Sequence, residues 1–169
     1  MAIIFPDGTQ SNRAHAGRTV FWDYSGVADY AQQNFHQDLP SILGNGTPAI
    51  TPRSTSSKIL VECGVHIGHQ TTWRSINIKV FRKIGTGSWV ERFGFSGGHS
   101  NGTNVLGDSH SRTFLDSPGT TQTVYYKAMW RGHSNGGELH LNQSNFTNTT
   151  ANNREGGETS FFRLTEILD

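Results

Sequence analysis

The sequence is poor in cysteine, in charge and in long apolar runs. Cys63 is the only cysteine among 169 residues, so the chain can form no disulfide within itself. Charged residues make up 16% and the formal net charge is +1, without a basic block, so we expect no nucleic-acid partner. Because no apolar run is long enough for a membrane span or a signal peptide, we expect no membrane insertion and no secretory signal.

The sequence patterns of common catalytic and metal sites are missing as well. There is no GxSxG, HExxH, paired cysteine or phosphate-binding loop, and the carboxylates are scattered along the chain. His66 and His69 are three apart. On a strand their side chains would point to opposite faces and could not share one metal ion, whereas a turn at Gly68 would bring them together. We therefore expect no catalytic residue, no metal and no cofactor. A pair of glycosidase carboxylates assembled in space stays open as an alternative.

What the chain has in abundance is small polar residues. Gly, Ser, Thr and Asn account for 66 of 169 residues, in clusters that separate short runs rich in Val, Ile, Phe, Tyr and Trp. This texture predicts an all-β fold, an antiparallel β-sandwich or jelly roll of about eight strands with long polar loops and at most one short helix, near 25–35. The predicted strands cover 19–24, 58–67, 74–84, 88–95, 105–116, 123–131, 139–143 and 159–168. Residues 1–18 form an extended N-terminal arm, and 19–169 form the sandwich domain.

Alternation along three of these segments predicts which side chains are buried. Ile59, Val61, Cys63, Val65 and Ile67 share one face of the strand over 58–67. The segment 123–131 alternates in the same way. The strand over 159–168 carries large apolar residues on both faces, which predicts a position inside a sheet with both sides partly covered.

An internal repetition is the sharpest local signal. The pentapeptide GHSNG occurs at 98–102 and again at 132–136. If residues 105–131 form one hairpin around the Pro118-Gly119 turn, both copies emerge at the same end of the sheet. His99, Asn101, His133 and Asn135 would then share a loop surface, with Trp130 as a nearby aromatic for a sugar ligand. The alternative is that a Gly/Ser/Asn-rich chain reuses turn residues.

Both ends of the chain carry more specific patterns. The opening MAIIFPDGTQ contains an apolar run and then Phe5, Pro6, Asp7 and Gly8, and the closing SFFRLTEIL is an apolar-aromatic run. These ends resemble small structural proteins of marine tailed phages. The resemblance implies a virion component, fibre-like or on the capsid surface, with β-sandwich domains and usually a homotrimer. Phe5 to Gly8 then belong to the attachment arm.

These observations lead to a hypothesis with two alternatives. The hypothesis is a non-enzymatic virion structural protein, a tail- or fibre-associated or knob-like homotrimer that contacts other virion proteins and a host surface glycan. One alternative is a capsid decoration (cement) protein held to the shell by residues 1–18. The other is a carbohydrate-binding module, which the GHSNG pair and the aromatic residues favour.

Overall fold

The structure is a computed structural model that describes part of the chain. The backbone is described for residues 3–4, 10–11, 19–24, 28–30, 37–38, 47–69, 75–97, 106–133, 139–141 and 160–168, and the side chains for 47–67, 76–96, 109–130 and 160–168. Regular structure in these ranges is entirely β-strand. The described residues contain no helix long and apolar enough to cross a membrane.

The strands follow the alternating segments of the sequence. In chain order they are β1 (Ile3–Ile4), β2 (Gln10–Ser11), β3 (Thr19–Tyr24), β4 (Ala28–Tyr30), β5 (Gln37–Asp38), β6 (Ala49–Ile50), β7 (Lys58–His69), β8 (Ser75–Ile84), β9 (Val90–Gly97), β10 (Leu106–Asp116), β11 (Val124–His133), β12 (Leu139–Leu141) and β13 (Ser160–Ile167). All eight predicted strands are present. The short helix considered near 25–35 is wrong for residues 28–30, because β4 pairs there with β12 in an extended conformation.

The first sheet is built around β7. On one edge, β10 pairs with β7 without interruption from Leu106 opposite His69 to Asp116 opposite Ile59. The other edge is shared by β13, which pairs with residues 58–64, and β12, which pairs with residues 67–69. Strand β3 lies outside β13, and β4 lies outside β12. The ladder between β10 and β7 is unbroken through Gly107, which lies opposite Gly68.

The second sheet is built around β8 and β11, which pair over ten residues from Val124 opposite Ile84 to His133 opposite Ser75. Strand β9 pairs with the free edge of β8, while β5 and β6 pair with opposite ends of the free edge of β11. The β8–β9 ladder shifts register between Val80 and Phe81, which leaves Arg92 as an extra, bulged residue on β9.

The connections alternate between the sheets. The chain passes from β7 to β8, from β9 to β10 and from β10 to β11 by crossing from one sheet to the other, whereas β8 and β9 form a hairpin within one sheet. All strand pairs in the part of the chain that the structure describes are antiparallel. The protein is therefore an all-β antiparallel two-sheet sandwich of jelly-roll type, and the predicted fold class is confirmed.

The core lies between the two sheets and follows the predicted alternation. The buried apolar side chains are Ile50, Ile59, Val61, Cys63, Val65, Ile67, Ile76, Ile78, Val80, Val124, Tyr126, Ala128, Trp130 and Leu164. They come from every second residue of β7, β8 and β11, with Leu164 from β13 and Ile50 from β6. Along one side, the edge strands β9 and β10 close the sandwich through the rings of Phe93 and Phe114, whose centroids are 4.0 Å apart.

The C-terminal strand occupies the position predicted for it. Strand β13 lies between β3 and β7, inside the first sheet. Leu164 faces the core and is fully buried, whereas Phe161 and Phe162 are half-buried. Phe161 lies on the outer face, where its ring covers Gly64 of β7 so closely that a Cβ at that glycine would overlap the ring.

Candidate functional site

The outer face of the second sheet carries an alternating set of aromatic and lysine side chains. Val124, Tyr126 and Ala128 of β11 point into the core, so the residues between them point outward. The antiparallel register places Tyr125 opposite Lys83 and Lys127 opposite Phe81. Both of these pairs combine a ring with an ammonium group, whereas the next outward pair, Met129 opposite Lys79, does not.

The β8–β9 turn adds a third ring to this surface. Gly85 adopts a φ of 52°, a conformation that other residues rarely take, and its N–H donates to the Thr123 carbonyl at 2.8 Å. The N–H of Gly87 donates to the Ile84 carbonyl at 2.9 Å, which tightens the turn. The chain thereby returns Trp89 to the side of Lys83 just before β9 begins.

We name the surface formed by Phe81, Lys83, Trp89, Tyr125 and Lys127 the aromatic–lysine face. The Lys83 ammonium lies 5.1 Å from the Trp89 ring centroid and 4.8 Å from that of Tyr125. The Lys127 ammonium lies 4.8 Å from the Trp89 centroid and 5.9 Å from that of Phe81. All five side chains are partly exposed. Contacts of this length are cation–π interactions, each worth about 0.5–1 kcal/mol at an exposed site.

The two ammonium groups also lie close to each other. Each is within about 5 Å of the same Trp89 centroid, so they are no more than about 10 Å apart. Two like charges at that distance repel by about 0.4 kcal/mol in bulk water and by roughly 1.7 kcal/mol near a protein surface. The nearby carboxylate of Glu91 lies 2.7 Å from Lys79. The face therefore combines aromatic rings with two closely spaced ammonium groups.

A second polar cluster lies inside the sandwich, where Asp116 links the two sheets. The Asp116 carboxylate of β10 accepts hydrogen bonds from Arg82 of β8 at 2.9 Å, from Nε of Arg92 of β9 at 3.1 Å and from the Tyr126 hydroxyl of β11 at 2.9 Å. The bulge at Arg92 directs its guanidinium toward the carboxylate. Asp116 is 1% exposed, so this is a buried ion pair that joins one strand of the first sheet to three of the second.

The chemistry of this cluster favours a structural role. Each carboxylate oxygen already accepts hydrogen bonds, so Asp116 is not poised as a general base or a nucleophile. Burial, together with the neighbouring Asp116 charge, raises the pKa of Tyr126 above its ordinary value. The Tyr126 phenol therefore stays protonated and acts as a hydrogen-bond donor.

Other polar side chains also tie separate segments together. The buried Glu166 carboxylate of β13 accepts the Arg53 backbone N–H at 2.6 Å. The backbone N–H of His66 donates to Ser160 Oγ at 3.0 Å, and its ring Nδ1 lies 2.9 Å from Ser109 Oγ. His66 is 5% exposed and is therefore buried. In the described ranges no three His, Cys, Asp or Glu side chains cluster as a metal site would require.

The structure contradicts two parts of the predicted loop site, the hairpin over 105–131 and the exposure of Trp130. Residues 105–131 do not form a hairpin, because β10 pairs with β7 and β11 pairs with β8. Strands β10 and β11 lie in different sheets and face each other across the core. The Pro118-Gly119 segment therefore connects the two sheets at one end of the sandwich. Trp130 is 2% exposed and belongs to the core, so it is wrongly assigned as a surface aromatic.

The first GHSNG copy nevertheless follows β9 and the second begins within β11, and these two strands flank β8. Gly97, the last residue of β9, and Gly132 of β11 both lie opposite Ile76 on β8. His133 ends β11, and its side chain is not described; His99, Asn101 and Asn135 lie outside the described residues. A shared loop surface stays a prediction. The arm residues Phe5, Pro6, Asp7 and Gly8 also lie outside the described ranges.

Sequence reasoning missed the aromatic–lysine face. The signal was the alternation of Tyr125 and Lys127 along one strand, with Phe81 and Lys83 along another. Alternation along a strand indicates that such residues share a face, but only the register between β8 and β11 brings the two sets together. Trp89 joins them through the conformation of the turn.

Comparison with known proteins finds no protein-family model and no curated protein that matches this chain. Similar solved structures include the Eiger TNF from S. frugiperda, at 12% identity and a TM-score of 0.49 over 89% of this chain and 94% of that one. They also include infectious bursal disease virus, Gx strain, at 10% identity and a TM-score of 0.33 over 98% of this chain. The VP2 subviral particle of that virus has 9% identity and a TM-score of 0.34 over 89%.

These likenesses concern the arrangement of strands only. The chain spans 42% and 38% of the two viral chains, which are therefore much longer. At such identities and TM-scores, none of these structures carries an argument about what this chain binds or where it acts.

Proposed function

We propose that this chain is a non-enzymatic structural subunit of a phage virion, associated with the tail or its fibres and presenting a surface for attachment. The observation that carries the proposal is that some polar side chains stabilise the interior while others form an exposed surface. The buried carboxylates of Asp116 and Glu166 hydrogen-bond to other segments of the fold. The aromatic–lysine face lies on the solvent side of the second sheet. The resemblance of both chain ends to phage structural proteins supports the assignment to a virion.

Detection of the protein in particles tests this proposal. Gradient-purified virions from the phage that encodes the sequence are digested and quantified by mass spectrometry. Peptides at a few copies per particle support a tail or fibre position, and hundreds of copies support capsid decoration instead. Absence from particles, with the protein present in the infected lysate, contradicts both virion assignments.

The proposed subunit is a homotrimer. The apolar fraction of 33% is low for a chain that buries its own core, which favours further burial between subunits. Light scattering on the purified protein is expected to give three times the chain mass of 18.6 kDa. A mass of one chain at micromolar concentration contradicts the trimer.

The N-terminal arm attaches the subunit in this proposal. The described ladder of β1 joins it to β2, with Ile3 opposite Ser11 and Ile4 opposite Gln10. Removal of residues 1–18 is therefore expected to leave the thermal unfolding of the sandwich unchanged while abolishing incorporation into particles. Normal incorporation of the shortened protein would contradict the assignment.

A carbohydrate-binding module is the second candidate, and one observation favours it. Trp89 and Tyr125 are partly exposed rings on a rigid sheet, and rings in such positions suit the apolar faces of sugars. The two candidates are compatible, because a virion subunit that attaches to a host surface glycan needs such a face.

A further inference from the structure

We infer that the aromatic–lysine face binds an acidic polysaccharide, with sugar rings against Trp89 and Tyr125 and the anionic groups of the polymer on Lys83 and Lys127. The inference names the class of ligand for the attachment role proposed above, and its biological meaning rests on that role. The binding itself does not, because it is measured on the purified chain.

The first step is the shape and stiffness of the surface. The ten-residue ladder between β8 and β11 fixes the spacing of Tyr125, Lys127, Phe81 and Lys83. The inward residues that alternate with them, including Val80, are buried in the core, which prevents the strands from sliding. A ligand therefore meets side chains that are already in place, and little conformational entropy is lost on binding.

The second step is the charge of the surface. The ammonium groups of Lys83 and Lys127 each lie about 5 Å from the Trp89 ring centroid, so they are no more than about 10 Å apart. Glu91 of β9, opposite Phe81, lies 2.7 Å from Lys79, and this ion pair carries no net charge. An anionic group placed between Lys83 and Lys127 relieves their repulsion, so the charge complementarity of this face favours an anionic ligand.

The third step separates a polysaccharide from other polyanions and from self-association. Nucleic acids carry a charge on every nucleotide, and the proteins that bind them usually have a pI above 9, whereas this chain has a pI of about 8.0 and a net charge of +1. A second copy docked face to face would set Lys83 and Lys127 against their own equivalents. An acidic polysaccharide offers both apolar sugar-ring faces and anionic groups, so it matches both the aromatic and the cationic side chains.

Binding to polygalacturonate, a polymer of uronic acid, tests the inference. Affinity is measured for the full chain from its tryptophan fluorescence and from its retardation in gels that contain the polymer, with neutral dextran as the uncharged comparison. We expect binding to polygalacturonate that weakens as salt rises, and no binding to dextran. The double variant Lys83→Gln/Lys127→Gln is expected to bind at least about tenfold more weakly.

A matched control separates the face from overall charge. Lys58→Gln/Arg112→Gln removes two positive charges from the first sheet, so both double variants change the formal net charge from +1 to −1. The control is expected to bind as the natural chain does. Trp89→Ala is expected to lose binding, and Trp89→Phe to retain part of it, because a ring remains at that position.

Several results would overturn the inference. Equal weakening in the two double variants would mean that overall charge, and not this face, holds the polymer. Binding to oligo(dT) as tight as that to polygalacturonate would assign the face to nucleic acid. A change of oligomeric mass in Lys83→Gln/Lys127→Gln would assign it to a subunit interface. None of these results bears on whether the protein is found in virions, so the two proposals fail separately.

Discussion

The most informative single perturbation is the replacement of Asp116 by alanine. The substitution removes a carboxylate that accepts hydrogen bonds from Arg82, Arg92 and the Tyr126 hydroxyl. It also leaves a guanidinium on Arg82 whose side chain is only 14% exposed. Breaking a buried ion pair by removing one partner typically costs about 3–5 kcal/mol, because the remaining charge is left uncompensated.

This loss is large relative to the stability of an ordinary domain. A folded domain is stable by about 5–15 kcal/mol, so Asp116→Ala is expected to remove about a fifth or more of that free energy. Asp116→Asn keeps the shape and one acceptor oxygen but loses the charge. We expect it to cost about 1.5–3 kcal/mol, which is the range for hydrogen bonds to charged groups.

Urea unfolding followed by tryptophan fluorescence measures these differences. The natural chain and all variants are compared at one protein concentration, because association would make the midpoint depend on concentration. Glu91→Gln is the control, since its ion pair with Lys79 is exposed and is expected to contribute at most about 1 kcal/mol. If Asp116→Ala does not fold, Asp116→Asn carries the comparison. A loss below about 1 kcal/mol for both Asp116 variants would refute the structural role assigned to the cluster.

Three further predictions test other parts of the fold. Gly64→Ala is expected to lower the free energy of unfolding in urea by about 1–3 kcal/mol, because the new methyl group overlaps the Phe161 ring. In a Phe161→Ala background the same change should cost much less. An equal cost in both backgrounds would contradict the contact. Burial raises the pKa of Tyr126, so above about pH 10 the unfolded chain loses this proton before the folded chain does, and the free energy of unfolding falls as pH rises. Tyr126→Phe should make that fall less steep. An unchanged slope would contradict the raised pKa. Burial also raises the pKa of the Cys63 thiol, so a thiol reagent should label Cys63 only as fast as the protein unfolds; rapid labelling of the folded protein would contradict its burial.

The sequence predicted the parts of the structure that depend on local periodicity. Strand β7 shows this most clearly, because Ile59, Val61 and Cys63 recur at every second position and all three are fully buried. Side chains on a strand point alternately to its two faces, so a period of two identifies both the strand and its buried face. The interior position of β13 was predicted for a related reason, since large apolar residues occur on both of its faces.

One prediction that failed, the hairpin over 105–131, depended on how distant strands pair, and another, the exposure of Trp130, depended on the face of a strand. A turn at Pro118-Gly119 is consistent with a hairpin, but also with a crossing from one sheet to the other. Trp130 was assigned to the surface because it precedes a polar loop, although its position in the alternation of β11 directs it to the core. Proximity to a loop along the chain is a weaker indication of exposure than the face of the strand on which a residue lies.

By itself, then, the sequence determined the fold class, most strand positions and the buried face of each long strand, because these follow from residue type and a period of two. Only the tertiary structure decided which strands lie side by side. It placed Asp116 within hydrogen-bond reach of Arg82 and Tyr126, and it brought Lys127 and Lys83 to one tryptophan ring. Pairing between strands far apart in sequence is set by how well whole sheets bury their apolar faces together, a property that no short segment carries alone.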